Sequence, residues 1–296
     1  MAVSTAIRIA GVDVARVGFA GLHLAGAGGW GQPDDREASV RLLRTAVELG
    51  IGLIDTADTL GPGVSEQIIR EALHPYAPGI VISTKAGMTR GGERAWGVLG
   101  RPDYLKQQAY TSLHRLGLDR IGLFTLHRVD PAYPLADQVG ALRELQDEGA
   151  IAHIGLSGVT LAQLEEARRI APIACVQNHY NLVSRAHDDV VARTAELGIP
   201  FVAFWGLGHG PALIESPAVQ AVAARHAATG AQVLIAWLLQ RSPNLVAIPG
   251  TGNPDRLRAN FAALELELDA AAIATLEEFA ATARPVPDLA PSPVTP

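Results

Sequence analysis

Several apolar segments of this chain end in polar side chains that can exchange protons or form hydrogen bonds. Successive segments end in Asp55, Lys85, His127, Ser157 and the pair Gln177 and Asn178. Carboxyl, ammonium and imidazole groups that lie together can transfer protons, whereas hydroxyl and amide groups can orient a polar ligand. A buried charge is costly unless an opposite charge lies beside it. We therefore expect the Asp55 carboxylate and the Lys85 ammonium group to be within hydrogen-bonding distance.

The segments that carry these side chains alternate with amphipathic segments. Eight short apolar segments are strand candidates: ARVGFAG, IGLIDTA, GIVISTKAG, IGLFTLHR, AHIGLSG, ACVQNHY, PFVAFWG and NLVAIPG. Apolar residues at three- and four-residue spacing predict helices over Glu37–Leu49, Asp103–Leu116, Leu135–Glu148, Leu161–Ile170, Asp188–Leu197, Ala218–Ala228 and Ala231–Gln240. Strands that are apolar on both faces and alternate with helices predict an α/β protein, a closed (β/α)8 or TIM barrel. In such barrels the carboxyl ends of the strands carry the chemistry.

The two ends of the chain differ from this alternation. Near the N-terminus, apolar and polar residues alternate and include Arg8, Asp13 and Arg16, which predicts a β-hairpin before the barrel. The last segment, RPVPDLAPSPVTP, is rich in proline. We expect one barrel domain over residues 1–283 and a Pro-rich tail over residues 284–296.

Two glycine-rich segments follow the seventh and eighth strand candidates. They are GLGHG, which spans Gly206 to Gly210, and PGTGNPDR, which includes Pro254 and Arg256. Loops at these places in a barrel commonly bind phosphate, because glycine lets backbone N–H groups approach an anion. Pro254 also predicts the first turn of a helix, whose N-terminus favours negative charge. The planar guanidinium group of Arg256 suits a phosphate.

Together these segments resemble the aldo-keto reductase superfamily over almost the full chain. The similar motifs are DTADTLGPGVSE, VISTKAG, LFTLHRVDP, GLSG, VQNHYNL and IPGTGNPDRLRANFAAL. The resemblance implies a (β/α)8 fold and hydride transfer from NADPH, with NADH less favoured, to a carbonyl group. It also implies that Asp55, Lys85 and His127 belong to the catalytic group.

The resemblance further implies which residues bind the cofactor. Ser157 and Gln177 would hydrogen-bond to the nicotinamide amide, and Phe204 would stack on the nicotinamide ring. The implied contacts to the 2′-phosphate and adenine are Thr251, Arg256 and Asn260. Other implied cofactor contacts are Gly21, Leu207, Gly208, Gly210, Gly250 and Gly252. Separately, the aromatic residues Trp30, Trp96 and Tyr133 are candidate walls of the substrate pocket.

The chain departs from the family pattern at the usual proton donor. The catalytic tyrosine of the family aligns with Leu60, because Asp55 precedes it in the motif and Gly61 follows without a gap. Loss of a positioned general acid typically lowers a rate by about 10²–10⁴-fold. We expect either that His127 is the substitute donor or that the substrate needs little acid, as an iminium would.

Three glycines mark further departures. Gly158 replaces the usual asparagine of the nicotinamide contacts, and Gly206 replaces a usual proline. Gly250 stands where some members carry a phosphate-binding lysine. The preference for NADPH over NADH therefore depends mainly on Arg256.

Composition argues against several other classes of partner. The net charge is -6 and the basic residues form no cluster, which argues against a nucleic-acid or anionic membrane surface. The single Cys175 excludes an internal disulfide framework, and no metal site is predicted. The sequence has no signal-peptide pattern and no apolar segment of membrane-spanning length. We expect a cytoplasmic protein that binds a small molecule; the pattern indicates no oligomeric state.

Three functions fit these observations. The first is an NADPH-dependent oxidoreductase with altered acid catalysis that acts on a carbonyl, an imine or a conjugated alkene. The second is a non-redox dehydratase, lyase or cyclase that uses Asp55, Lys85 and His127 as acid–base groups. The third is a catalytically silent nicotinamide-binding regulatory protein.

Overall fold

The chain begins with the predicted hairpin. The computed structural model describes residues 4–284. Strands β1 (Ala6–Ile9) and β2 (Val12–Ala15) pair antiparallel. Both turn residues, Ala10 and Gly11, have a positive φ, at 48° and 79°. A two-residue turn of this kind matches the twist of the flanking strands.

Eight parallel strands form the central sheet. They are β3 (Phe19–Ala20), β4 (Leu53–Asp55), β5 (Val81–Ala86), β8 (Ile121–Leu126), β9 (Ile151–Ser157), β10 (Ile173–His179), β11 (Phe201–Phe204) and β12 (Leu245–Ala247), in that order around the sheet. Val17, just before the first of these strands, bridges Ala247 of the last in parallel. The Gly18 N–H donates to the Ala247 carbonyl at 2.8 Å. The sheet therefore closes on itself, and the predicted (β/α)8 barrel is confirmed.

Helices surround the barrel. They are α1 (Arg36–Glu48), α2 (Val64–Leu73), α3 (Pro102–Leu116), α4 (Leu135–Asp147), α5 (Leu161–Arg168), α6 (Asp188–Glu196), α7 (Pro217–Arg225), α8 (Gly230–Arg241), α9 (Pro254–Ala262) and α10 (Ala270–Thr282). The predicted helices occur within three residues of their expected ends. Pro254 begins α9, as its position predicted. Helices α2 and α10 were not among the predicted elements.

A second hairpin interrupts the alternation after β5. It consists of β6 (Met88–Gly92) and β7 (Ala95–Val98), which pair antiparallel. The sequence between Met88 and Val98 is rich in glycine and charged residues and has no strong apolar alternation, so it was not predicted as strand. The hairpin follows the carboxyl end of β5 and therefore lies at the end of the barrel where chemistry is expected.

A buried arginine joins the N-terminal hairpin to the last strand of the barrel and to the helix before that strand. Arg16 is fully buried, and its Nε atom donates to the Leu245 carbonyl at 2.9 Å. Its Nη2 atom donates to the carbonyls of Leu239 and Ser242 at 2.8 and 2.6 Å. Burial lowers the pKa of Arg16 to about 10. The guanidinium group thus connects β12 and the end of α8 to the segment that starts the barrel.

Within residues 4–284, no single helix is long and apolar enough to cross a membrane, although the bent pair α7 and α8 meets the length and composition criteria together. The division into a domain of residues 1–283 and a tail of residues 284–296 stays a prediction, because all of the tail except Arg284 lies outside the described residues.

We expect Arg16→Met to lower the free energy of unfolding by about 2–4 kcal/mol, because several buried carbonyl groups would lose their donor. Arg8→Met is the matched control, since Arg8 lies in an exposed ion pair with Asp13. Urea unfolding of both variants measures the difference. Equal unfolding free energies for the two variants would contradict the structural role of Arg16.

Candidate active site

A buried ion pair lies at the carboxyl ends of β4 and β5. The Lys85 Nζ atom donates to Asp55 Oδ2 at 2.7 Å and to the Thr56 carbonyl oxygen at 2.7 Å. Asp55 is 8% exposed and Lys85 is 5% exposed. The contact expected from the sequence is therefore present. The pair can persist in this buried place because further hydrogen bonds satisfy the charged groups.

Two neighbouring side chains complete the hydrogen bonding of the Asp55 carboxylate. The Ser83 hydroxyl donates to Oδ1 at 2.8 Å, and the Gln177 Nε2 atom donates to Oδ2 at 3.1 Å. Ser83 and Lys85 are two residues apart on β5 and so point to the same, interior face. Thr84 points outward instead, where its hydroxyl donates to Glu66 at 2.6 Å. The interior of the barrel thus holds Asp55, Lys85 and Gln177 as one connected group.

His127 follows β8 beside this group. Its backbone N–H donates to the Ala86 carbonyl at 2.7 Å, which places it next to the end of β5. Burial lowers the pKa of His127 well below its ordinary value, and the charges of Lys85 and Arg128 lower it further. Among residues 4–284, the buried Nδ1 atom has no hydrogen-bond partner. The imidazole is therefore neutral at pH 7, and it can donate or accept a hydrogen bond but is a weak acid.

Arg128, which sequence reasoning missed, connects two predicted cofactor contacts. Its Nη1 atom donates to the Ser157 hydroxyl at 3.0 Å and to the His127 carbonyl at 2.9 Å. Its guanidinium carbon lies 5.2 Å from the centroid of the Phe204 ring. A Cβ atom at Gly158 would lie 2.9 Å from Arg128 Cδ. The arginine therefore occupies the space that a side chain at position 158 would need.

Leu60 lies at the position of the expected tyrosine and is 9% exposed. The next residue, Gly61, donates its N–H to the Gly29 carbonyl at 2.8 Å, so the loop before α1 packs beside Leu60. A Cβ atom at Gly29 would lie 3.5 Å from Leu60 Cδ2 and 3.7 Å from Arg90 Nη1. The Leu60 and Arg90 side chains thus both approach Gly29, and position 60 offers no proton.

Arg90 brings together two of the predicted pocket walls. Its guanidinium carbon lies 3.7 Å from the Trp96 ring centroid and 5.4 Å from the Trp30 ring centroid. It also donates to the carbonyls of Gly28 and Gly29 at 3.0 and 3.1 Å. The hairpin β6–β7 is thereby fixed to the loop that carries Trp30. Within the described residues, no hydrogen bond or ring contact joins the Tyr133 side chain to this cluster or to the Asp55 group.

The loops after β3 and β11 carry the next predicted cofactor contacts. Gly21 is buried, and a Cβ atom there would lie 2.7 Å from Ser65 Oγ, so only glycine fits. Gly208 and Gly210 both have a φ of 80°, a conformation that favours glycine. Leu207 lies between β11 and these glycines. A loop of this kind exposes backbone N–H groups to an anion.

The segment after β12 holds the remaining predicted contacts. Thr251 is buried, and its hydroxyl accepts from the Asn253 N–H at 3.1 Å. Arg256 is exposed, and Asn260 lies one turn later on the same face of α9 and is buried. Gly252 has open space around it. The Asn253 side chain accepts from the Asp255 and Arg256 N–H groups at 2.8 and 3.0 Å, so at the start of α9 the exposed Arg256 guanidinium group, rather than these backbone groups, is left for a phosphate.

Gly250 has an unexpected neighbour. A Cβ atom at Gly250 would lie 2.8 Å from His23 Cδ2. Burial lowers the pKa of the His23 imidazole. A histidine from the loop after β3 therefore fills the space beside Gly250, where some family members carry a lysine.

Of the site residues that were not predicted, only Ser83 has a pattern in the sequence that identifies it. Strand alternation from Lys85 identifies Ser83 as interior, so that residue could have been found. Arg128, Arg90 and His23 contact residues far away in sequence, and no local pattern indicates those contacts. Among residues 4–284, no group of three or more His, Cys, Asp and Glu side chains could hold a metal ion.

Chemically, the site combines a paired carboxylate and ammonium group, a neutral imidazole, hydroxyl and amide groups, and an aromatic ring at one end of a barrel. The carboxylate, ammonium, imidazole, hydroxyl and amide groups can orient a polar reactant and hold charge. The glycine loops and Arg256 lie after the last two strands, where an anion can bind. The roles predicted for the individual residues stay predictions.

Comparison with known proteins agrees with this geometry. Residues 22–281 match the model of the aldo/keto reductase family. The chain is 42% identical over 271 residues to pyridoxine 4-dehydrogenase of Escherichia coli, covering 90% of this chain and 94% of that protein. It is 38% identical over 272 residues to an uncharacterized oxidoreductase of Schizosaccharomyces pombe, covering 92% and 89%. The fold matches an aldo-keto reductase from Klebsiella pneumoniae solved with NADPH, with a TM-score of 0.79 at 24% identity, over 99% and 100% of the two chains. The chain belongs to the aldo/keto reductase family of oxidoreductases.

Proposed function

We propose that this protein is an NADPH-dependent reductase that transfers hydride to the carbonyl group of a small organic substrate without a tyrosine acid. The observation that carries the proposal is that Asp55, Lys85 and Gln177 form one hydrogen-bonded group, whereas the usual tyrosine position holds an apolar Leu60. A catalytically silent nicotinamide-binding protein would not require a buried ion pair at this end of the barrel. The ion pair costs free energy in a buried place, which argues that it has a role beyond folding.

The residues at the mouth suit NADPH. In this proposal the Ser157 hydroxyl and the Gln177 amide bind the nicotinamide amide, Phe204 stacks on its ring, and the glycines after β11 bind the phosphates. Arg256 and Thr251 bind the 2′-phosphate in the same proposal. The related structure from Klebsiella pneumoniae contains NADPH, which supports this assignment. When bound, NADPH supplies the hydride.

The described residues contain no evident replacement for the tyrosine. Lys85 already donates to Asp55 and to the Thr56 carbonyl. His127 is neutral and therefore a weak acid. Burial raises the pKa of Asp58 well above its ordinary value, and Glu66 raises it further. Glu66, which acts on Asp58, accepts from Thr84 on the outer face of β5. We therefore do not assign Asp58 as a proton donor to the barrel interior.

We infer that the substrate supplies its own proton. The suitable class is an aromatic aldehyde with a hydroxyl group on the adjacent ring carbon, because that hydroxyl already hydrogen-bonds to the carbonyl oxygen. The formyl carbon accepts the hydride that NADPH supplies, and the carbonyl electron pair moves to the oxygen. That oxygen takes the ring hydroxyl proton, and the phenolate then takes a proton from water. The pyridoxine named for the Escherichia coli relative carries such a hydroxyl beside its 4-position.

An iminium substrate fits the site less well. Lys85 and Arg128 both lower the pKa of the nearby His127, so a positive charge is unfavourable there. A transient phenolate is favoured by the same charges. The predicted pocket walls, Trp30 and Trp96, would also suit a planar ring.

Titration of the purified protein with NADPH, followed by tryptophan fluorescence, tests the cofactor assignment. Absence of binding would favour the non-redox dehydratase, lyase or cyclase. Binding without oxidation by any aldehyde, ketone, imine or enone would favour the silent regulatory protein. The cytoplasmic location and the exclusion of nucleic-acid and membrane partners stay predictions.

Arg256→Ala is expected to weaken NADPH binding at least about tenfold and NADH binding less than about twofold, because only NADPH carries the 2′-phosphate. Arg258→Ala is the matched control, since Arg258 is also exposed on α9. Dissociation constants from fluorescence titration report the effect. An equal loss for both cofactors would remove Arg256 from the phosphate site.

Leu60→Tyr should raise kcat/KM for benzaldehyde, which lacks a proton donor, by at least about tenfold, because the phenol restores a positioned acid. Leu60→Phe supplies the ring without the hydroxyl and should not. Rates of NADPH oxidation compare the three proteins. A tyrosine variant that binds NADPH normally but is no faster than the phenylalanine variant would mean that the pocket differs from the family at more than one position.

The parent protein should reduce 2-hydroxybenzaldehyde at least about tenfold faster than 2-methoxybenzaldehyde, because methylation removes the internal proton. In Leu60→Tyr the ratio should fall to within about threefold. Product formation measured by chromatography gives both ratios. Similar rates for the two aldehydes in the parent would contradict a substrate-supplied proton while leaving the reductase proposal intact.

A further inference from the structure

The Arg128 guanidinium group lies among the residues that would surround the nicotinamide ring. It donates to the Ser157 hydroxyl at 3.0 Å and lies 5.2 Å from the Phe204 ring centroid. Its second hydrogen bond, to the His127 carbonyl at 2.9 Å, fixes the side chain along the barrel mouth. The contacts therefore place one cation between the end of β9 and the end of β11.

Arg128 and Gly158 are complementary in shape. A Cβ atom at Gly158 would lie 2.9 Å from Arg128 Cδ, 3.0 Å from Nη1 and 3.1 Å from Cζ. Gly158 has a φ of 66°, which asparagine also tolerates, so the backbone alone does not demand glycine. The close approach of the Arg128 side chain, rather than the backbone conformation, therefore explains why residue 158 is glycine.

We propose that Arg128 binds the nicotinamide carboxamide in place of the asparagine that aldo/keto reductases usually carry at position 158. This inference rests on the proposed NADPH-dependent function. An arginine can only donate hydrogen bonds, so it serves the carboxamide oxygen. Within residues 4–284, the Gln177 Oε1 atom accepts no hydrogen bond, while its Nε2 atom is held by Asp55, so Oε1 remains to accept from the carboxamide NH₂.

In this proposal the hydrogen bond to the carboxamide comes from Arg128, the residue after His127, instead of from an asparagine in the loop after β9. Both residues approach the same space, because β8 and β9 are neighbours and pair in parallel up to Leu126 and Leu156. The charge of the arginine also strengthens its hydrogen bonds relative to those of an amide. Loss of the guanidinium should consequently weaken the binding of the nicotinamide end and leave the adenine end unchanged.

Four proteins test the proposal: the parent, Arg128→Ala, Gly158→Asn and the double variant. The binding of NADPH is compared with that of adenosine 2′,5′-bisphosphate, which lacks the nicotinamide, by fluorescence titration. Arg128→Ala should weaken NADPH binding at least about tenfold and bisphosphate binding less than about twofold. Gly158→Asn alone should also weaken NADPH binding, because the amide and the guanidinium need the same space.

The double variant decides between a direct and a merely structural role. It should recover NADPH affinity to within about threefold of the parent, because the asparagine then has room and takes over the contact. Parent-like NADPH affinity in Arg128→Ala, equal loss for both ligands, or no recovery in the double variant would each overturn the proposal. A parent protein that binds the bisphosphate but not NADPH would overturn both this inference and the proposed function.

Discussion

The need to neutralise a buried ammonium group organises the whole mouth of this barrel. Lys85 projects into the interior from β5, and Asp55 meets it from β4 at 2.7 Å. Ser83 and Gln177 donate the other hydrogen bonds that the Asp55 carboxylate accepts. The bond from Gln177 also fixes a side chain of a third strand, β10. Three strands of the closed sheet are therefore tied at the catalytic end by one charge, whereas Arg16 ties the other end through backbone carbonyls.

Much of the fold followed from the alternation of apolar strands with amphipathic helices. Strands buried on both faces leave a strong sequence signal, and polar residues at their carboxyl ends converge when the sheet closes. The hairpin β6–β7 left no such signal, because Arg90 holds it to the carbonyl groups of Gly28 and Gly29, about sixty residues earlier in the chain. Contacts of this kind depend on tertiary placement and have no local period.

The candidate site divides in the same way. Asp55 and Lys85 could be paired from sequence because each alone would be a costly buried charge. Arg128 and His23 could not be assigned, since each fills space beside a glycine from another loop. At Gly158 and at Gly250, a departure from the family pattern thus coincides with a side chain that reaches in from a neighbouring strand or loop. At Leu60, no described side chain supplies the missing hydroxyl, which distinguishes the loss of the acid from the other two changes.

The interlocking of Arg128 with Gly158 also couples the effects of changes at these two positions. The Cβ atom of an asparagine introduced at position 158 would lie 2.9 Å from Arg128 Cδ, which is closer than van der Waals contact. With Arg128 in this position, an asparagine at position 158 requires either a displaced Arg128 side chain or a smaller residue after His127. The effect of a substitution at either position thus depends on which residue occupies the other. Substitutions at the two positions are therefore expected to be non-additive, as is usual for residues in contact.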